Sequence, residues 1–239
     1  MISIIIPTYK EAPYLIKTLD TILVQTYQDF EVIIVDDGLT DEARKKTKSY
    51  LIGKNKIKLL KQEPAGAPAA RNRGFRESKG EFLFFCDDDV ILKKDALEKM
   101  VKALKEYLEV SYIYCGFYLG WKIFPSFDFD ANKLKKMPYI SGVSLIRREH
   151  FLGWDESLKK FQDWDLWLTM LEKGYKGFHI PEALFKAIPK REGMSFWLPK
   201  FFYKLPWSVF PFKLFKPRAI EEYEEGMQII RNKHKLIVC

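Results

Sequence analysis

Two stretches decide the fold: Phe30-Glu31-Val32-Ile33-Ile34-Val35-Asp36-Asp37-Gly38 and Glu81-Phe82-Leu83-Phe84-Phe85-Cys86-Asp87-Asp88-Asp89. Each is a short apolar run that ends in consecutive carboxylates. Runs of this length and β-branched or aromatic content read as strands buried on both faces. Ile2-Ser3-Ile4-Ile5-Ile6, bounded by Pro7, is a third such run, and Ile57 to Leu60 a fourth. Between them Leu15, Leu19, Ile22 and Leu23 recur at helical spacing, and Thr40 to Tyr50 reads as a polar helix. A Gly/Ala/Pro turn opens another helix near Pro68, and a further one begins near Lys93. Strands alternating with helices at this spacing predict an α/β fold, a Rossmann-like, doubly wound and mostly parallel sheet flanked by helices. Ligands of such sheets bind beyond the carboxyl ends of the strands, where both acidic clusters fall.

The chain has 239 residues, room for one principal α/β core plus an appendage. Its 47% hydrophobic and 30% charged content excludes general disorder, collagen-like repeats and a bundle of membrane spans. The net charge of +8 favours an anionic partner, whether nucleic acid, a phosphate-bearing metabolite or an acidic membrane surface. Cys86, Cys115 and Cys239 show no C-x-x-C pattern, so a reducing compartment is expected. His150, His179 and His234 are not spaced as metal ligands, which leaves carboxylates to hold any divalent cation, Mg²⁺ or Mn²⁺. The amino terminus enters the first strand with no signal-peptide pattern, so a cytoplasmic location is expected.

The chemistry-bearing motifs each admit two readings. Asp87-Asp88-Asp89 is a metal site, because adjacent carboxylates repel unless neutralised, or a solvated turn before a helix. Asp36-Asp37-Gly38 is a ligand site or ordinary Asp-Gly turn chemistry. Gly66-Ala67-Pro68-Ala69-Ala70-Arg71-Asn72-Arg73-Gly74 offers backbone N–H groups and guanidinium forks to phosphate, or is simply a helix start. It is neither a Walker A loop nor a G-x-G-x-x-G fingerprint, which disfavours NTP hydrolysis and dinucleotide redox chemistry. Gln162-Asp163-Trp164-Asp165-Leu166-Trp167-Leu168 opens a helix with an apolar stripe of Trp164, Trp167, Leu168 and Leu171. Asp163 and Asp165, two residues apart, cannot share a face, so one can line a pocket while the other points elsewhere.

Taken in order, these pieces resemble a family 2 glycosyltransferase of GT-A fold over about residues 1 to 185. Ile6-Pro7-Thr8-Tyr9-Lys10 is similar to that family's I-P-x-Y-N opening, with Lys10 in place of Asn, and Val35-Asp36-Asp37-Gly38-Leu39 to its V-D-D-G-S. Ala70 to Gly74 resembles A-R-N-x-G, and Gly80 to Asp89 the strand leading to its D-x-D motif. Phe161 to Trp167 resembles the E/Q-D-W-D-x-W helix, followed by Gly174-Tyr175 and Ile180-Pro181-Glu182. The histidine that many relatives carry is missing between Phe185 and Ser195, where Lys190 or Arg191 would have to meet the diphosphate.

The resemblance implies a nucleotide site of Pro7, Thr8, Tyr9, Glu11, Asp37, Arg71 and Asp88, with the Asp37 carboxylate accepting an N–H of the base. It implies metal positions Asp87 and Asp89, Asp89 being the direct ligand to Mn²⁺ or Mg²⁺, and Asp163 as general base in an inverting displacement. Gly142, Trp154 and Asp155 fall on its acceptor side, where Trp154 either stacks on a sugar or belongs to the core. Residues 1–92 would form a nucleotide-binding half, 93–185 an acceptor half and 186–239 an aromatic and basic C-terminal extension. Phe196 to Phe215 mixes Phe, Trp and Leu with Lys200, Lys204 and Lys213, the pattern of a segment lying on an anionic membrane, here the inner face, although packing on the domain remains open. The expected partners are therefore a nucleotide-sugar donor, with UDP as default base, and a glycan or lipid-linked acceptor. The rivals are a catalytically decayed binding module and a nucleotidyltransferase, the latter disfavoured for want of a glycine-rich amino-terminal loop. The acidic clusters argue against nucleic acid as partner.

Overall fold

The computed structural model describes residues 1–189 and 217–236. Lys190, Arg191 and the Phe196–Phe215 stretch lie outside the described residues. The chain runs β1 (Ile2–Lys10), α1 (Leu15–Leu23), β2 (Phe30–Leu39), α2 (Asp41–Leu51), β3 (Ile57–Lys61), α3 (Ala67–Glu77), β4 (Phe82–Phe85), β5 (Val90–Leu92) and α4 (Ala96–Glu106). It continues with β6 (Tyr112–Leu119), β7 (Lys122–Phe124), α5 (Ala131–Lys136), β8 (Leu145–Arg147), α6 (Gln162–Glu172), β9 (Gly177–Ala187) and α7 (Arg218–Lys233).

Among the described residues the strands form one nine-stranded sheet, ordered β3-β2-β1-β4-β8-β6-β9-β5 with β7 on the side of β6. The long pairings, β1 with β2 and β4, β2 with β3, and β6 with β9, are parallel. β8 joins β4 and β6 antiparallel, and β5 and β7 are likewise antiparallel, each joint only two or three residues long.

The unbroken apolar runs are explained by burial on both faces. Ile2, Ile4 and Ile6 of β1 pack with Val32 and Ile34, with Phe82 and Phe84, and with Leu15, Leu19, Ile22 and Met100 of α1 and α4. Ile5, Leu83 and Phe85 point the other way, into a cluster with Tyr112, Trp164, Trp167 and, from α7, Met227 and Ile230. Each fully buried Ile contributes roughly 1.5–3 kcal/mol, which holds the central strands rigid beneath the loops at their ends.

One boundary differs from the sequence reading. β1 does not stop before Pro7 but runs on to Lys10, with Pro7 opposite Val35. β4 pairs only as far as Ile5, so beyond it β1 is open on that side and tolerates a residue without an N–H. β1 and β4 lie side by side while the chain winds outward from them through β2 and β8, which puts the topological switch point at their carboxyl ends.

Candidate active site

Four loops meet at that edge. The end of β1 brings Thr8 to Glu11, the end of β2 Asp36 and Asp37, the loop after β4 Asp87 to Asp89, and the start of α6 Asp163.

At the end of β1, Tyr9 is 54% exposed and its ring lies against Gly38, whose hypothetical Cβ would approach it to 3.1 Å. Glu11 is exposed, whereas Thr8 is buried and donates its hydroxyl to the Val35 carbonyl at 3.1 Å. Thr8 can therefore offer a ligand little beyond its backbone. Lys10 stands at φ 55, a left-handed conformation that Asn adopts more readily than Lys, which gives a physical reason for the Asn of the resembled motif. Asp36 is fully buried and structural: it accepts from the Gly38 and Leu39 N–H groups at 3.1 and 2.7 Å and from Arg44 Nε at 2.5 Å. Burial works to raise its pKa, but these hydrogen bonds outweigh it and hold the carboxyl below its ordinary value.

Asp37 accepts three hydrogen bonds at 2.8 Å, from Gln62 Nε2, Ala65 N and Gly66 N. These tie the turn before α3 to the end of β2 and leave about one acceptor position on Oδ2 for a further donor. Gly66 sits at φ 93, which favours glycine, so the chain can turn into α3 while its N–H reaches Asp37. Gln62 was not singled out from sequence; nothing in its local pattern distinguishes it from a solvated strand-end residue.

Arg71 differs most from expectation. It is 6% exposed, and its guanidinium donates to Asp87 Oδ1 at 2.7 Å and to Gln162 Oε1 at 3.1 Å while lying 4.7 Å over the Trp154 ring. Its donors thus hold the acidic loop and the start of α6 rather than projecting toward a phosphate. Trp154 is 4% exposed, its ring covered by Arg71 and met edge-on by Phe85 at 5.2 Å, so it supports the site from within the core and does not stack on a sugar. Asp155 also departs from the acceptor role. It accepts from Lys233 Nζ at 2.6 Å and from Ser157 N and Oγ at 2.9 and 2.6 Å, and Lys233 above all lowers its pKa to about 2.

The acidic loop has the donors a hard cation takes. The Asp87 side chain is 47% exposed with Arg71 on one oxygen, Asp89 is partly exposed, and Asp88 is 6% exposed, below the level of the other two. The density of charge registers on Cys86, whose thiol is pushed well up, first by burial and then by Asp87, Asp89 and Asp88. Among the described residues no three His, Cys, Asp or Glu side chains converge into a ready-made metal cage.

Asp163 completes the site. Phe161, the residue before α6, is held at φ 58 and packs on Trp164 and Tyr223, which sets the direction of the first turn. The Asp163 Oδ2 accepts from Gly142 N at 2.9 Å, and the absence of a side chain at Gly142 leaves room for this approach, since a Cβ there would lie 2.7 Å from Asp163 Oδ1 and push the carboxylate aside. Burial raises the Asp163 pKa; Arg71 opposes this, Asp87 adds to it, and the Gly142 N–H opposes it again. Asp165 indeed points elsewhere: it is 3% exposed and bonded to His234 Nε2 at 2.8 Å and Lys233 Nζ at 2.7 Å of the C-terminal region. Asn72, quoted only as part of a motif, grips the Trp154 backbone through both ends of its amide, at 2.9 and 2.8 Å, and also donates to Glu156. A cavity of about 740 Å³ opens beside the site, lined by Gly66, Pro68, Glu156, Lys160, Gln162 and Arg218 among others.

Solved structures share this architecture. Staphylococcus aureus TarS 1-349 in complex with UDP-GlcNAc superposes with a TM-score of 0.69 at 18% identity, covering 97% of this chain and 74% of that one. The mannosyltransferase PcManGT from Pyrobaculum calidifontis, in complex with GDP-Man and Mn²⁺, gives 0.65 at 19% identity, covering 97% and 75%. These likenesses show the fold, the GT-A arrangement. In sequence, glycosyltransferase GlyG of Streptococcus pneumoniae is 36% identical over 107 residues, 44% of this chain and 36% of that protein. GlyA of the same organism is 37% identical over 106 residues but only 15% of its length is matched, so the chain spans a minor part of these relatives. A glycosyltransferase of Haemophilus influenzae is 32% identical over 204 residues, 77% of this chain and 67% of that protein. The family model described as Glycosyl transferase family 2 matches residues 3–153, more than half of the sequence, and the chain belongs to that family.

Proposed function

We propose that the protein is an inverting, hexosyltransferase-like enzyme that moves a sugar from a nucleotide-sugar donor, by default a UDP-sugar, to a hydroxyl of a glycan or lipid-linked acceptor. The observation that carries this reading is the Asp163 carboxylate, which is held by Gly142 and lies close enough to Arg71 and Asp87 to feel both charges. In this reading a base and a diphosphate site are neighbours, as a single displacement requires. The TarS and PcManGT complexes, with UDP-GlcNAc and with GDP-Man and Mn²⁺, support a nucleotide-sugar donor and a divalent cation here.

Tyr9 and Glu11 are open to base and ribose, and Asp37 has an acceptor position to offer. Asp89 and Asp87 would hold Mn²⁺ or Mg²⁺, which supplies charge neutralisation to the leaving diphosphate when bound. Arg71 fixes Asp87 in place. Asp163 takes the proton of an acceptor hydroxyl, whose oxygen attacks the anomeric carbon opposite the leaving group and inverts it. A carboxyl raised above its ordinary pKa is a stronger proton acceptor once ionised, and sits nearer the operating pH where general bases act best. Residues 1–92 serve the donor in this reading and 93–185 the acceptor.

Calorimetric titration with UDP, GDP and dTDP, each with and without Mn²⁺, tests the donor site. Metal-dependent binding of one nucleotide, lost in Asp89→Ala, is the expected result. Asp163→Asn should keep that binding and lose transfer by about 10²–10⁴-fold. Nucleotide binding by a wild-type protein that transfers no sugar would favour the decayed module instead.

A further inference from the structure

A second surface lies outside the cleft. Trp121 is 93% exposed, more than any other large apolar residue among those described. It occupies the tip of the β6–β7 hairpin, beside Gly120 at φ 61. The inner face of that hairpin is firmly held, because Phe117 stacks between Phe124 and Phe185 at 5.3 and 5.2 Å. Its outer face carries a cross-strand row of Ile123, Tyr118 and Lys186, with Ile123 51% and Tyr118 38% exposed and Lys186 exposed as well. A Trp and an Ile presented to water on a rigid support cost free energy.

The surroundings decide what covers them. No Asp or Glu occurs from Tyr112 through Phe127, whereas Lys122 adjoins Trp121 in the turn. Glu182, the acid of β9, is ion-paired with Lys93 and Lys99 at 3.0 and 2.5 Å. The patch is thus apolar at its centre and cationic at its margin. The chain outside the described residues also departs from here: Gly120 N donates to the Ala187 carbonyl at 3.2 Å, and a Cβ on Gly120 would lie 3.2 Å from Pro189 Cγ. Residues 190–216 that follow Pro189 contain nine aromatics and six Lys or Arg against one Glu.

We infer that the β6–β7 hairpin, with Trp121 at its tip, docks on an anionic lipid bilayer. An exposed aromatic with lysine beside it is the chemistry that enters the headgroup region of such a surface. No helix among the described residues is long and apolar enough to cross a membrane. The orientation has a consequence for the cleft. Ala187 pairs with Val90 and Ile188 N donates to the Asp89 carbonyl at 3.0 Å, so the hairpin tip and the acidic loop share one end of the sheet. A docked hairpin turns the site toward the membrane, which, granted the transferase reading, selects a lipid-linked acceptor.

The test is co-sedimentation of the full chain with vesicles of phosphatidylcholine alone and with roughly 30% phosphatidylglycerol, the anionic component that recruits Lys and Arg. Wild type should bind the anionic vesicles and not the zwitterionic ones. Trp121→Ala should weaken partition about tenfold, and Lys122→Ala about fivefold with reduced sensitivity to salt. Ile52→Ala, at another open site after α2, 80% exposed, should change nothing. Unchanged partition of Trp121→Ala, or equal binding to both vesicle types, overturns the inference. So does a dimer in ultracentrifugation that Trp121→Ala dissolves, since the face would then be a self-contact. Nucleotide titration of the same variants, expected to match wild type, separates failure here from failure of the donor site.

Discussion

Replacing Gly142 by alanine tests the assignment of Asp163 without touching the carboxylate. Gly142 does not adopt a positive φ, so alanine meets no backbone strain there; the added methyl instead falls 2.7 Å from Asp163 Oδ1, 3.0 Å from Cγ and 3.2 Å from Oδ2. Restoring ordinary contact near 3.4 Å displaces the carboxylate by roughly 0.7 Å. The 2.9 Å hydrogen bond from Gly142 N is lost or stretched with it. A misplacement of about 1 Å costs on the order of 10² in rate, so a fall in kcat of about 30-fold is expected. The Gly142 N–H is one of the groups that lower the Asp163 pKa, against burial and Asp87. Weakening it raises the pKa further, and because the base must be ionised, the acid limb of the kcat profile should move to higher pH. Nucleotide affinity should stay as in wild type, since the three atoms nearest the added methyl all belong to the Asp163 side chain. The assay is steady-state transfer across pH beside calorimetry with the nucleotide. A Gly142→Ala enzyme with wild-type kcat and an unmoved acid limb would refute Asp163 as the base in this geometry.

Other substitutions probe the scaffold. Both ring nitrogens of His234 face carboxylates, Asp165 at 2.8 Å and Glu172 at 2.7 Å, with Lys233 and Asp155 alongside; burial disfavours the charged ring, but these hydrogen bonds outweigh it and raise its pKa above the ordinary 6.5. Its contribution is therefore full below pH 6.5 and is lost as pH rises through the folded value, so the difference in unfolding free energy between wild type and His234→Gln, about 2–4 kcal/mol at low pH, should shrink in alkali when read from denaturant melts; a difference independent of pH would exclude the imidazolium. Asn72→Ala should release the Trp154 loop, at a cost of about 2 kcal/mol, visible as faster amide exchange at Trp154 with little change at α3. Lys10→Asn removes left-handed strain at φ 55 and should stabilise by about 1 kcal/mol, a rise of roughly 2–4 °C in Tm for a chain of this size.

The frame was legible because burial on both faces writes itself into sequence as unbroken apolar runs, and Ile2–Ile6, Phe30–Val35 and Phe82–Phe85 all became strands with alternate residues in different clusters. The antiparallel entries were not. β8 is three residues, Leu145–Arg147, and its place between β4 and β6 is fixed by partners more than thirty residues away in sequence. In the site, residue types announced carboxylates but not their occupancy. Asp37, Arg71 and Asp155 read as groups turned outward, yet each is engaged by a partner from another segment, Gln62 with Gly66, Gln162 with Asp87, and Lys233. Trp154 had two readings, and Arg71 lying over its ring decides for the core.

The two aspartates of α6 join these scales. Asp163 accepts from Gly142 and Asp165, two residues on, is held by His234 and Lys233, so the turn that presents the proposed base is also the turn on which the C-terminal helix is anchored. The Asp163 pKa is raised because its surroundings are desolvated, and part of what encloses that turn is the cluster in which Trp164 and Trp167 pack with Met227 and Ile230 of α7. Lys233 bridges Asp165 and Asp155 at 2.7 and 2.6 Å, which binds the loop after Trp154 to the same helix. Arg71 stacks on Trp154 and grips Asp87, so displacement of α7 would loosen, in one sequence of contacts, the Asp163 turn, the neighbouring tryptophan and the acidic loop. A helix remote in sequence from every recognised motif is thereby part of the physical support of the chemistry.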